Sequence, residues 1–273
     1  MQHRKIAFIG AGNMTKSIIG GLIKNAYPAE LIIASNPSVA KLDALKAECG
    51  INITQDNNQA IEFAQVIVLA VKPQLMEHVS GAFDKAIDLS DKLFVSIAAG
   101  ITTTRLKEML GGDYAVIRTM PNTPSALALG MTGLFADAKV QDTDKEFAGN
   151  LLTQVGKIAW VNEEPMMDGV IAAAGSSPAY FFLFLEAMEK EAIAMGFEKP
   201  TARLLVQQAM LGAAEMVCHN PDLELSELRT QVTSKGGTTA KAVEALQDQG
   251  LEQIIAKAMQ AAVKRAEEMS LQF

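Results

Sequence analysis

A chain of 273 residues, with 49% hydrophobic and 20% charged residues, can build one large domain or two moderate ones and carries no disorder signature. Its 24 basic residues against 31 acidic ones leave a net charge of -7, which speaks against the basic stripe of a nucleic-acid binder but not against a local site for a small anion. Cys49 and Cys218 lie far apart and His3, His78 and His219 form no ligand spacing, so no metal site is expected. The opening Met1-Gln2-His3-Arg4-Lys5 leads straight into Ile6–Ile9, an apolar run too short for a signal peptide and halted by Gly10 and Gly12. No stretch is read as approaching the ~20 apolar residues of a bilayer span. A cytoplasmic protein with no membrane partner is the resulting expectation.

The first 160 or so residues alternate strand and helix patterns. Ile6–Ile9 reads as a buried parallel strand, and the stretch 13–25 has helical spacing through Met14, Ile18, Ile19, Leu22 and Ile23. A strand at 31–34 and a helix at 37–48 follow, with Pro37 suited to a first helical turn. The unbroken apolar runs 66–71 and 93–98 suit strands covered on both faces. Further strands are expected at Ala115–Met120, 131–136 and 157–161. This alternation implies a doubly wound α/β domain, assigned to residues 1–162.

Beyond it, residues 163–273 show almost no strand signal. Helices are expected at 166–174, 178–195, 201–218, 226–232, 239–249 and 251–269, separated by glycine and Asn-Pro turns. The run Ala179-Tyr180-Phe181-Phe182-Leu183-Phe184-Leu185 is apolar all round and needs cover, from a second subunit or from neighbouring helices.

Five motifs carry chemistry. Gly10-Ala11-Gly12-Asn13-Met14-Thr15 follows the first strand and opens the first helix, so Gly10 can make the tight turn and Gly12 can admit a pyrophosphate to the helix N-terminus. Thr15 stands where that pattern has Gly or Ala. The end of the second strand reads Ser35-Asn36-Pro37, with no carboxylate before Asp43. A carboxylate there would hold an NAD ribose and repel a 2′-phosphate, whereas Ser35 and Asn36 can donate hydrogen bonds to one. NADP is therefore expected, with NADPH preferred and NADH as the alternative donor, although Ser35-Asn36 would also serve as a plain helix cap. Ala70-Val71-Lys72-Pro73, together with Ala98-Ala99-Gly100, lies at strand ends where ligands bind open α/β sheets, while Lys72 taken alone is an ordinary solvated lysine. Arg118-Thr119-Met120-Pro121-Asn122-Thr123-Pro124 is a stiff loop suited to the nicotinamide end, and by composition no more than a turn. Finally, Val232-Thr233-Ser234-Lys235-Gly236-Gly237-Thr238-Thr239-Ala240 is either an anion nest, offering the Gly237 and Thr238 N–H groups and the Ser234 hydroxyl to a carboxylate, or a capped helix start.

Together with Gly175-Ser176-Ser177-Pro178-Ala179-Tyr180, these motifs make the whole chain resemble the pyrroline-5-carboxylate reductase family. Thr15, Ser177 and Lys235 depart from its usual Ala, Gly and Pro. The resemblance implies a Rossmann-type parallel-sheet N-terminal domain, an all-α C-terminal dimerisation domain and dimers that assemble further into decamers. It implies NADP-dependent reduction of 1-pyrroline-5-carboxylate to L-proline. It places the substrate carboxylate on Ser234, Gly236, Gly237 and Thr238, with Thr239 as the catalytic group near the ring nitrogen; by position, Gln231 and Glu164 are further candidates for contact with substrate or nicotinamide. The cofactor set is Ile9, Gly10, Ala11, Gly12, Asn13, Met14, Ser35, Asn36, Asn57, Ala70, Val71, Lys72, Pro73, Ala98, Ala99 and Pro121. Two rival readings are a β-hydroxyacid dehydrogenase, whose usual lysine is missing between Gly169 and Tyr180, and a non-catalytic NADP sensor.

Overall fold

The structure, a computed structural model, describes residues 3–272; Met1, Gln2 and Phe273, which begin and end the two expected domains, lie outside the described residues. Eight strands and their helices alternate through the first part of the chain: β1 (Ile6–Ile9), α1 (Asn13–Lys24), β2 (Ile32–Ser35), α2 (Val39–Cys49), β3 (Asn52–Thr54), α3 (Asn57–Phe63), β4 (Val66–Leu69), α4 (Pro73–Gly81), β5 (Leu93–Ser96), α5 (Thr103–Leu110), β6 (Ala115–Met120), β7 (Gly130–Ala136), α6 (Asp142–Thr153) and β8 (Gly156–Trp160). They form one sheet in the order β3-β2-β1-β4-β5-β6-β7-β8. All pairs are parallel except β6 with β7. That is a doubly wound sheet whose order reverses at β1 and β4, the point where such folds bind dinucleotides.

Side-chain alternation explains the layering. Ile6 and Phe8 enter one core with Ile18, Leu22 and Phe147, while Ala7 and Ile9 enter the opposite core with Ile61, Met76 and Phe94. Both faces of β1, β2, β4 and β5 are buried, which is why these strands read as unbroken apolar runs. The polar edge strand β3 escapes a search for apolar runs: only Ile53 of its three residues is hydrophobic.

The rest is helical: α7 (Met166–Val170), a π-type stretch Ile171–Gly175, α8 (Ser177–Ala194), α9 (Lys199–His219), α10 (Leu225–Gln231), α11 (Thr238–Asp248) and α12 (Leu251–Gln272). Packing divides the chain into two compact units. One runs to Pro178 and takes in the end of α12 from Ala261; the other is Ala179–Gln260. The first unit extends past the expected boundary at 162/163 because Met167 and Ala172 are buried and Val170 packs against Gly133 of β7. Within the same unit Ala266 is buried and Met269 lies against Gly100.

The expectation about membrane spans needs correcting. Met166–Ala194 is long and apolar enough to cross a bilayer by length and composition. Between Met166 and Leu185 the only charged residue is Asp168, and glycine, serine and proline within the run mask its length to the eye. Phe181, Phe182, Leu183 and Phe184 are all exposed in the single chain.

Candidate active site

In the first unit, the glycine turn after β1 is closed by backbone geometry. Gly10 has φ +114°, and a Cβ on it would stand 2.6 Å from the Ala70 carbonyl oxygen, so only glycine fits. The Gly10 N–H donates to the Ser35 carbonyl at 2.8 Å and the Ala11 N–H to Asn36 Oδ1 at 3.2 Å. Those two N–H groups are therefore spent within the turn. Gly12 caps α1 with no side-chain hydrogen bond, no acidic residue stands in the first turn, and nothing lies within 4 Å of a Cβ built on Gly12. The N–H groups of Asn13, Met14 and Thr15 have no helical partner at the positive end of a 12-residue helix, and with the room beside Gly12 they form a cradle that fits a pyrophosphate. Thr15 is fully buried and its Oγ1 donates to the Gly10 carbonyl at 2.8 Å, so the larger residue braces the turn from behind. Lys16 is no free phosphate ligand: its Nζ lies 2.6 Å from Glu48, a hydrogen bond that raises the lysine pKa.

At the end of β2 the structure corrects the expected role of Ser35. Its side chain is completely buried, and its hydroxyl donates to Asn57 Oδ1 at 2.6 Å, so it cannot reach a phosphate. Asn36 and Asn57 are each held through their oxygen, the former by the Ala11 N–H and the latter by Ser35. The Asn57 Nδ2 makes no hydrogen bond among the described residues, and the Asn36 Nδ2 only a long one of 3.5 Å to the Ser38 carbonyl. These half-buried amides thus keep donor capacity to spare, and the first acid after them, Asp43, is exposed on α2.

Beyond β4, β5 and β6, Lys72 is exposed and precedes Pro73 at the start of α4, while Ala98 and Pro121 are buried and Ala70, Val71 and Ala99 half-buried. Asn122 stiffens the Pro121 loop in a way its composition does not reveal. Its Nδ2 donates to the Ala174 carbonyl at 3.0 Å in the π-type stretch, and its Oδ1 accepts the Met131 N–H at 2.9 Å. Glu164, expected at the substrate, is committed inside the first unit. It accepts from the Thr103 N–H at 2.8 Å and the Thr103 hydroxyl at 2.7 Å, and pairs with Arg118 at 3.3 Å. Arg118 also faces Asp168 at 3.4 Å. Neither Thr103 nor Asp168 stood out in the sequence, since three separate segments supply the cluster.

In the second unit, the turn between α10 and α11 has Gly236 at φ +76°, and a Cβ on Gly237 would lie 2.4 Å from Ser234 Oγ. The Gly237 N–H, expected to bind a carboxylate, instead donates to the Ser234 carbonyl at 3.0 Å, because the chain closes its turn there. The donors left are the N–H groups of Thr238, Thr239 and Ala240, since Lys241 makes the first bond back to Gly237. Gly237 caps α11 without any side-chain hydrogen bond, and the Ser234 and Thr239 hydroxyls are exposed, as is Gln231 at the end of α10. This 11-residue helix start thus has the uncapped N–H groups an anion nest needs, with hydroxyls beside it.

Residues 5–100 match the family described as NADP oxidoreductase, coenzyme F420-dependent, and residues 164–269 match pyrroline-5-carboxylate reductase dimerisation. A pyrroline-5-carboxylate reductase of Vibrio alginolyticus is 57% identical over 100% of both chains. The chain belongs to the pyrroline-5-carboxylate reductase family. The solved structure of a pyrroline-5-carboxylate reductase from Coxiella burnetii superposes with a TM-score of 0.93 at 40% identity, covering 98% of this chain and 99% of that one. The pyrroline carboxylate reductase of Plasmodium falciparum, solved with NADP bound, gives 0.86 at 28% identity, covering 99% of each. The fold is thus a Rossmann-type domain followed by the family's helical dimerisation region. That region explains the apolar α8: the exposed Phe181–Leu185 segment belongs to a domain whose family description is dimerisation.

Proposed function

We propose that the chain reduces the cyclic imine 1-pyrroline-5-carboxylate to L-proline with NADPH, the last step of proline biosynthesis, as a cytoplasmic homodimer that associates further into decamers. One observation carries the reading: full-length identity of 57% to a relative of that name. Lysine is absent between Gly169 and Tyr180, which disfavours hydroxyl chemistry of the β-hydroxyacid dehydrogenase kind.

Each unit carries one anion grip of its own. The N–H groups of Asn13, Met14 and Thr15 bind the dinucleotide pyrophosphate, and the Asn36 and Asn57 amides offer donors to a 2′-phosphate. The N–H groups of Thr238, Thr239 and Ala240, with Ser234 Oγ, bind the imine's carboxylate, and Thr239 Oγ1 orients the ring nitrogen. When bound, reduced nicotinamide supplies the hydride. The ring nitrogen, protonated from water, makes the imine carbon electrophilic enough that these residues need only align it. An unassisted threonine hydroxyl is too weak an acid to drive the step, so Thr239 relays or orients a proton and does not generate one.

The test is NADPH oxidation on mixing the purified protein with 1-pyrroline-5-carboxylate, with proline identified as product. Binding of NADPH without turnover would favour the sensor reading, and mass in solution separates dimer from decamer.

A further inference from the structure

We propose that Glu164 is a positioning residue for the nicotinamide half of the cofactor site, acting through the loop between β5 and α5. This rests on the NADPH-dependent reading above. Thr103 is the first residue of α5, and its N–H is one of the groups a helix leaves without a partner. The local cap, Thr102, serves the Arg105 N–H. Glu164, 61 residues further along the chain, serves Thr103 through both carboxylate oxygens, at 2.8 Å to its N–H and 2.7 Å to its hydroxyl. A carboxylate there also meets the positive end of the helix.

Glu164 is itself held. Arg118, with its side chain only 4% exposed, donates to it at 3.3 Å, and Asp168 closes the far side of the guanidinium at 3.4 Å. Burying Arg118 between two half-buried carboxylates is a costly way to fasten a helix, and an apolar contact would do it more cheaply. What the ionic arrangement adds is direction: hydrogen bonds fix Thr103 in place as packing alone does not. The loop 97–102 ahead of Thr103 is pinned at two further points. The Ala98 N–H donates to Ser96 Oγ at 3.3 Å, and Gly100, at φ +77°, leaves only 2.9 Å between a built Cβ and the Met269 Cβ. A dinucleotide lies across the sheet's switch point with its adenosine end toward β2, so this loop at the end of β5 serves the other end. Glu164 therefore sets the backbone on which the nicotinamide rests, and touches neither substrate nor cofactor.

The experiment compares wild type with Glu164→Gln, which loses the second acceptor and turns an amide donor toward donors. Binding of NADPH and of adenosine 2′,5′-bisphosphate, which lacks the nicotinamide half, is measured beside turnover. NADPH affinity and kcat should each fall by about tenfold for one lost charge-assisted bond, while bisphosphate affinity stays within about twofold. Thr103→Ser should retain wild-type values, and Thr103→Ala should show the same split at smaller size, which serves if the Gln variant does not fold. Unchanged NADPH binding, or equal weakening of NADPH and bisphosphate, overturns the proposal. Wild type that binds NADPH but reduces no imine would sink the functional reading instead, and the binding split would still judge Glu164.

Discussion

Asn36→Asp is the sharpest probe of the cofactor corner. Asp and Asn have the same shape, so Oδ1 still accepts the Ala11 N–H at 3.2 Å and the glycine turn is undisturbed. The Nδ2, which has only its 3.5 Å contact to the Ser38 carbonyl, becomes a carboxylate oxygen. A 2′-phosphate carries a charge of roughly -1.5 to -2 at neutral pH. Against a carboxylate about 5 Å away, the repulsion is about 1.5 kcal/mol in water-like surroundings and grows as water is excluded. At about 1.4 kcal/mol per decade, kcat/KM for NADPH should drop at least about tenfold. For NADH it should hold or rise, because a carboxylate accepts from a ribose 2′-hydroxyl. The assay is the ratio of kcat/KM for the two donors in both proteins, at low ionic strength to limit screening. If that ratio moves by less than about threefold, Asn36 does not face the 2′-phosphate and the donor-surface argument is wrong.

Three further outcomes follow from the geometry. Thr239→Ala should lower kcat/KM by roughly 10–100-fold for one lost oriented hydrogen bond while leaving NADPH affinity alone; normal turnover would remove the role assigned to that hydroxyl. Gly10→Ala should destabilise the first unit by about 3 kcal/mol, combining a disfavoured φ with a 2.6 Å approach to the Ala70 carbonyl oxygen, and abolish NADPH binding. A melting temperature equal to wild type would contradict the turn geometry. Leu183→Asp, on the exposed run of α8, should weaken self-association by about a hundredfold by placing a charge in an apolar interface, and light scattering that still finds dimers at nanomolar protein would place the interface elsewhere.

Periodicity sufficed wherever one residue type decided the outcome locally. The buried strands around Phe8, Val68 and Val95 need only apolar side chains on both faces, and the six helical segments after residue 165 announce themselves by spacing and by glycine or Asn-Pro breaks. Gly10 and Gly236 were legible because a tight turn before a helix leaves few residues that fit. Hydrogen-bond allegiance was not legible. Ser35 looks like a phosphate donor in the sequence, yet it is buried against Asn57, 22 residues away. The Gly237 N–H looks free but closes its own turn, and Glu164 looks like a substrate contact but caps α5. Sequence thus determined which groups this chain possesses and which segments become strand, helix or turn, because those follow from local sterics and from the pattern of burial. Only the tertiary structure decided which donors and acceptors are already spoken for, because a polar group out of water takes whichever partner the fold brings within about 3 Å, and that partner can lie anywhere along the chain.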